Sequence, residues 1–443
     1  MTREALLRAL EPYRTYDLFA SDGRHSREHL CCERQVGEER IFFLSPAKPI
    51  ADKADTRSEN YLFRISGEYC PIRYDIWSGK ELPTDWFYAD GYTWIRLTLY
   101  AYDAVLLRLR RGRDVPQAEV QTPCTSVPVP VAECVAYERA EPNVLLLDMA
   151  EYALDGVTFA PKTEILQIDA LCRAHFGLPP ITGKLAKQPW CIRDDREYAV
   201  SLRYRFDSET EAAVLLGAER LSAACLNGVP VPLETVGWYV DRDIRTYRLP
   251  LLRKGGNILT VVMKLGRING LEPMYLLGNF DVRLRGTAAM LLPLSTEIGF
   301  GNTTAQGLPF YSGNLTYQMR IATPAGRLTV SANAYAGALV KARLDGEPIG
   351  NILLPPYRAP ADVTEGEHLL ELECVGNRNN TFGSLHWGIE DSYYGPMHWH
   401  KTGDAFSREY RLCEFGILKA PDIRCEVPET EATEHDFLEV WKS

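Results

Sequence analysis

LNGVPV (226–231) and LDGEPI (344–349) are the two stretches on which the reading of the fold turns. Each sets an apolar residue before an Asn-Gly or Asp-Gly pair, the strongest short signal for a two-residue hairpin turn, because both central positions of such a turn need positive φ. Downstream of each lies a matching closure: YRLPLLRKGGNILTVVM (247–263) after the first and YRAPADVTEGEHLLELE (357–373) after the second. Upstream strands also correspond, REYAVSLRYRF (196–206) with SGNLTYQMRI (312–321). A repeat of 118 residues is too long for a solenoid and suits duplicated β-sandwich domains.

Outward from this repeat, period-2 alternation and short apolar runs dominate. Strands are predicted at 39–45, 60–67, 92–100, 103–111, 197–206, 212–217, 245–250 and 257–265, with turns at Ser78-Gly79 and Asp90-Gly91. One helix is predicted, KTEILQIDALCRAHF (162–176), with Ile165, Ile168, Leu171, Cys172 and Phe176 on its apolar side and Gly177 as its stop. The chain is therefore expected to be all-β: tandem β-sandwiches, the last two of jelly-roll type, joined by one connecting helix. The expected boundaries are a sandwich at 1–135, a connector with the helix at 136–186, jelly rolls at 187–290 and 291–425, and a tail at 426–443.

Composition narrows the function. A length of 443 residues suits about three domains. Lys and Arg total 49 against 59 Asp and Glu, a net charge of -10, which disfavours nucleic acid because phosphate backbones are held by clustered cations. The opening MTREALLRALEPYRTYDLFA has neither the plan of a signal peptide nor a membrane-spanning run, so a soluble, cytoplasmic protein is expected. Eleven scattered cysteines without a C-x-x-C pair read as reduced, mostly buried thiols.

The repeat resembles the galactose-binding-like jelly rolls of glycoside hydrolases. GLPFYSGNLTY (307–317), LDGEPIG and VGNRNNTFGSLHW (375–387) are similar to the terminal sandwich of the β-galactosidase/β-glucuronidase superfamily and of rhamnogalacturonan-type α-L-rhamnosidases. EPMYLLGNFDV (272–282) resembles the segment closing their preceding sandwich, and PNVLLLDMAEYALDG (142–156) their connector. EERIFFLS (38–45), FRISGEYCPIRYDIWSGK (63–80) and DGYTWIRLTLYAYDAVLL (90–107) resemble the sandwich that follows their catalytic barrel. That barrel needs about 250 residues, and no room for it is expected here, so no catalytic residue is carried over. The resemblance implies a non-catalytic, carbohydrate-binding or accessory portion of a glycoside hydrolase. Its partners would be a glycan and either a separate catalytic chain or further copies in a homo-oligomer. A small glycosidase with a site between sandwiches, and a structural remnant that docks on a catalytic chain, remain as alternatives.

Sugar sites combine flat apolar rings with a few oriented polar groups on loops. The stretch 376–400 is richest in both: Trp387, Tyr393, Tyr394 and Trp399 as platforms, with Asn377, Arg378, Asn379, Asn380, His386, Glu390 and Asp391 as polar partners. The same aromatics would equally fill a core. Trp238 and Tyr239 form a second candidate, and Phe310 and Tyr311 either reach a substrate or anchor the sandwich. His398 and His400 share a face if they lie on a strand, but two ligands make no zinc site. No cofactor is expected; calcium is compatible with jelly rolls of the resembling kind, although no D-x-D-x-D loop marks it.

Overall fold

The computed structural model describes residues 2–10, 13–47, 56–76, 78–82, 84–112, 124–180, 196–267, 269–389, 395–399 and 403–428. Both hairpins form as expected. Asn227 and Gly228 (φ 53° and 85°) and Asp345 and Gly346 (50° and 85°) take positive φ at both central positions, and Asp90-Gly91 (53° and 83°) makes a third turn of this kind. The two-residue loops set Leu226 opposite Val229, Leu344 opposite Glu347 and Ala89 opposite Tyr92.

The fold is all-β, built as three sandwiches of largely antiparallel sheets. In the first, a four-stranded sheet (Tyr16–Ala20, Ser58–Ser66, Tyr92–Tyr100, Asp85–Ala89) packs on a five-stranded one (His29–Val36, Glu39–Pro46, Val105–Arg111, Tyr69–Tyr74, Glu81–Leu82). Alternation drives the packing: Ile95, Leu97 and Leu99 point inward from one sheet to meet Phe42, Leu44, Leu107 and Leu109 of the other.

Beyond Arg111 the sheets depart from the expected boundaries. Cys124–Pro128 pairs with Asp422–Pro428, and Cys134–Arg139 with Leu315–Thr323, so these strands belong to the last sandwich and not to the first. Asn143–Leu147 and Met149–Ala153, expected in a connector, are core strands of the middle sandwich, paired with Met274–Gly278 and Glu197–Ser208. The chain thus enters the last sandwich, leaves it to build the middle one from residues 143–292, and returns to finish the last. We call these the outer and inner sandwiches. Residues 426–428 lie in the closing strand, not in a tail. The physical reason is that each sheet is completed by strands from both ends of its sequence, and partners that distant leave no local mark. All five residues of NVLLL (143–147) are buried, as a strand covered on both faces requires.

The helix runs Ile165–Phe176, with the Glu164 carboxylate accepting from Gln167 N–H (3.0 Å) at its start and Gly177 in left-handed conformation (φ 65°) at its end. Ile165, Ile168 and Cys172 enter the inner core as expected. Leu171 does not: it is 50% exposed, and Asp169 and Arg173 are buried instead. Arg173 binds Asp169 (2.6 Å) and donates to the Gly266 and Asn269 carbonyls (3.0 and 3.1 Å), while Asp169 accepts from Leu271 N–H (2.9 Å). Each guanidinium nitrogen has a partner, which makes the burial of the pair tolerable.

Candidate functional site

The loop after Cys374 carries most of the residues singled out in the sequence, and it folds back on the seam between the inner and outer sandwiches. His386 is 1% exposed; its Nε2 lies 3.2 Å from Asp148 Oδ2 and its Nδ1 2.8 Å from the Ser407 carbonyl. The other Asp148 oxygen accepts from Tyr410 Oη (2.6 Å), and burial pushes the Tyr410 hydroxyl well above its ordinary pKa. Arg378 binds Glu141, ahead of the inner strands, and Phe382 packs against Tyr239 and Tyr275. These contacts tie the loop to the inner sandwich and engage His386 and Arg378 with the protein.

Trp387 is half-buried, edge-on to His398 with ring centroids 4.4 Å apart. Trp399 is half-buried and its Nε1 donates to the Phe382 carbonyl (3.3 Å). Asn379 contacts Cys413 Sγ. Tyr311 is fully buried, donating to the Asn314 carbonyl (2.6 Å), and Phe310 is buried edge-on to Tyr410; both anchor sandwiches and face no solvent. Trp238 stands apart, 57% exposed on the edge strand Thr235–Tyr239. Glu390, Asp391, Tyr393, Tyr394 and His400 lie outside the described residues. His398 is not on a strand: Pro396–Trp399 is a 3-10 turn, so the spacing argument for a shared face with His400 does not apply. Among the described residues, no group of three or more His, Cys, Asp or Glu is placed to hold a metal ion.

A concave surface opens elsewhere, on the outward face of the four-stranded sheet of the first sandwich. It is a groove of about 660 Å³, lined by Phe19, Ser21, Gly23, Asn60, Leu62, Asp85, Trp94, Arg96 and Thr98, among others. The pleat puts them there. In YTWIRLTLY (92–100), Thr93, Ile95, Leu97 and Leu99 are buried, so Tyr92, Trp94, Arg96 and Thr98 point outward. The register sets Arg64 beside Trp94, Leu62 beside Arg96, Asn60 beside Thr98, and Phe19 beside Leu62.

The groove has a defined chemistry. Phe19 and Trp94 lie with ring centroids 6.1 Å apart and planes 31° apart. Arg64 sits among Phe19, Tyr92 and Trp94, at 5.2, 4.8 and 5.8 Å from their centroids, held by Asp17 at 3.6 Å. Asp17 is held in turn by Arg14 and by His25 (2.8 Å), and the His25 ring lies tilted against Phe19, centroids 5.0 Å apart. Arg96 lies over Phe87 (4.7 Å) and donates to Asp85 (2.9 Å), while Thr98 Oγ1 donates to Asn60 Oδ1 (2.8 Å). Flat apolar surface and exposed polar pairs therefore stand side by side. The sequence held the signal for this site in the outward phase of Trp94, Arg96 and Thr98; the density of aromatics at 376–400 pointed elsewhere.

Fold and groove together describe an all-β, multi-sandwich protein with an aromatic-lined groove on its first sandwich. No protein-family model matches the sequence, and no curated protein matches it. Among solved structures, the chain is similar to a rhamnosidase from Novosphingobium sp. PP1Y at 13% identity and TM-score 0.41, covering 95% of this chain and 26% of that one. It is also similar to a beta-D-mannosidase from Dictyoglomus thermophilum (13% identity, TM-score 0.22, 53% of this chain and 31% of that one). A third similarity is to a GH2 beta-galacturonidase from Eisenbergiella tayi (11% identity, TM-score 0.18, 55% and 38%). The chain spans about a quarter of the length of the rhamnosidase.

Proposed function

We propose that this chain is a carbohydrate-binding, accessory portion of a glycoside-hydrolase-like protein, and that it holds glycan on the outward face of its first sandwich. The observation that carries the reading is the groove at Phe19 and Trp94. Rings there offer flat faces to the C–H side of a pyranose, and the Asp85–Arg96 and Asn60–Thr98 pairs offer donors and acceptors to hydroxyls beside them. The lining supports a non-catalytic role for this groove. Glycosidic cleavage by the common mechanisms needs two opposed carboxyl groups, whereas among the described residues the groove is lined by one, Asp85, already engaged by Arg96. The resemblance of the sequence to the post-barrel sandwiches of glycoside hydrolases agrees with this role.

The test is affinity electrophoresis of the intact chain through gels containing soluble galactan, galactomannan, xylan or polygalacturonate, run beside a panel of aryl glycosides. Retardation by at least one polysaccharide without release of aglycone is expected, with retardation lost in Trp94→Ala and kept in Trp387→Ala. Retardation that survives Trp94→Ala, no retardation in any gel, or turnover of an aryl glycoside would overturn the reading.

A further inference from the structure

We infer that the groove takes an internal stretch of a glycan chain, with at least two consecutive sugar rings on Phe19 and Trp94, and not a single terminal sugar. This rests on the carbohydrate-binding reading above and specifies its ligand. The first support is spacing. The two rings are on strands separated by a third, yet lean together until their centroids are 6.1 Å apart, close to the advance of a pyranose chain per residue. Their planes differ by 31°, a modest turn from one ring to the next. Arg64 stands beside both rings, its guanidinium 5.2 Å from the Phe19 centroid and 5.8 Å from that of Trp94.

The second support is the layout of polar groups. Recognition of a chain end calls for hydroxyl partners all around one ring in an enclosed pocket. Here the polar groups form two separate pairs, and the Arg96–Asp85 pair is exposed, with 57% and 55% of its side chains accessible. Both pairs come from the same sheet face as the two rings: Arg96 and Thr98 alternate with buried residues along one strand, so the pairs follow one another along its direction. Groups strung out in this way meet successive residues of a chain. A volume of about 660 Å³ also lies in the range of about 300–1,000 Å³ that takes ligands larger than one small ring.

The experiment is calorimetric titration of the intact chain with β-1,4-linked galacto-, manno- and xylo-oligosaccharides and with oligogalacturonides, each from one to five residues long. For the backbone that retards the protein in gels, affinity is expected to rise at least tenfold from one residue to three and then level off. Phe19→Ala should erase that rise, and Phe19→Tyr, which keeps a flat ring and serves as the folding control, should preserve it. A monosaccharide that binds as tightly as the trisaccharide, or a length dependence untouched by Phe19→Ala, would overturn the inference while leaving the carbohydrate-binding reading in place. Absence of retardation in every gel overturns that reading first.

Discussion

Asn227 and Asp345, 118 residues apart, make the same two contacts in their respective sandwiches. Each side chain accepts at 2.8 Å from a backbone N–H on the neighbouring strand, that of Ile258 or Leu369. Each donates its own N–H at 2.8–2.9 Å to the carbonyl of that same residue. The hairpin turn is thereby pinned to the next strand in both copies, which is why a short polar residue tolerant of positive φ is needed there. The copies differ in the partner of the second side-chain atom: Asn227 Nδ2 donates to Asn257 Oδ1 (2.9 Å), whereas the second oxygen of Asp345 lies 2.6 Å from His368 Nδ1.

That difference predicts a pH dependence confined to the second copy. The bond to Asp345 raises His368 above its ordinary 6.5, and the bond from His368 lowers Asp345 below its ordinary 3.8. The His368 contribution is therefore complete below pH 6.5 and is lost as pH rises through its higher folded value. The Asp345 contribution is complete above 3.8 and is lost as pH falls through its lower folded value. Asp345→Asn, which copies the first turn, should keep the bond from Leu369 and lose the decline in stability on the alkaline side. Urea midpoints at pH 5.5 and pH 9 measure this; an unchanged decline in the variant would refute it.

Arg173 and Asp169 should be worth far more together than either is alone. Arg173→Met leaves a buried carboxylate whose remaining protein partner is Leu271 N–H, and should cost about 3–5 kcal/mol in urea unfolding. Adding Asp169→Leu should recover most of that loss. A double variant as unstable as the single one would count against the pair being the cause.

Tyr410→Phe removes the shorter of the two side-chain bonds to buried Asp148 and should cost about 1–3 kcal/mol. The expected local sign is faster amide hydrogen exchange around His386 and Arg411, whose backbone bonds hold the loop to itself at Ser407 and Leu385. Unchanged protection there would show that the loop is held by its apolar contacts alone.

Trp238 gives the opposite expectation. It is 57% exposed on an edge strand, so Trp238→Ser should alter stability by no more than about 0.5 kcal/mol. Polysaccharide retardation should also be unchanged if the groove on the first sandwich is the binding surface. Loss of retardation in this variant would move the site to the inner sandwich.

Local signals were legible in the sequence and long-range ones were not. Alternation placed the strand at 92–100 to the residue, and Asn227-Gly228 and Asp345-Gly346 marked the hairpins they introduce, because both are short-range consequences of pleat and turn geometry. The pairing of Val127 with Cys425 has no such signature, since the register between distant strands is set by a core that neither strand encodes alone. Helix phase was half legible: Ile165, Ile168 and Cys172 read as apolar and are buried, while Leu171, read with them, is exposed and the charged pair Asp169–Arg173 is buried in its place. Site residues suffered from a related ambiguity. An aromatic such as Tyr311 has the same composition whether it faces a sugar or a core, and only its burial separates the two.

The nesting of one sandwich within another orders the events of synthesis. When residue 292 has left the ribosome, every strand of the inner sandwich is available and it can close, whereas Val127 and Tyr137 must wait for Cys425 and Tyr317. A nascent chain halted between those points would carry a finished domain flanked by unsatisfied strand edges, the species most exposed to aggregation and the one on which a chaperone would act.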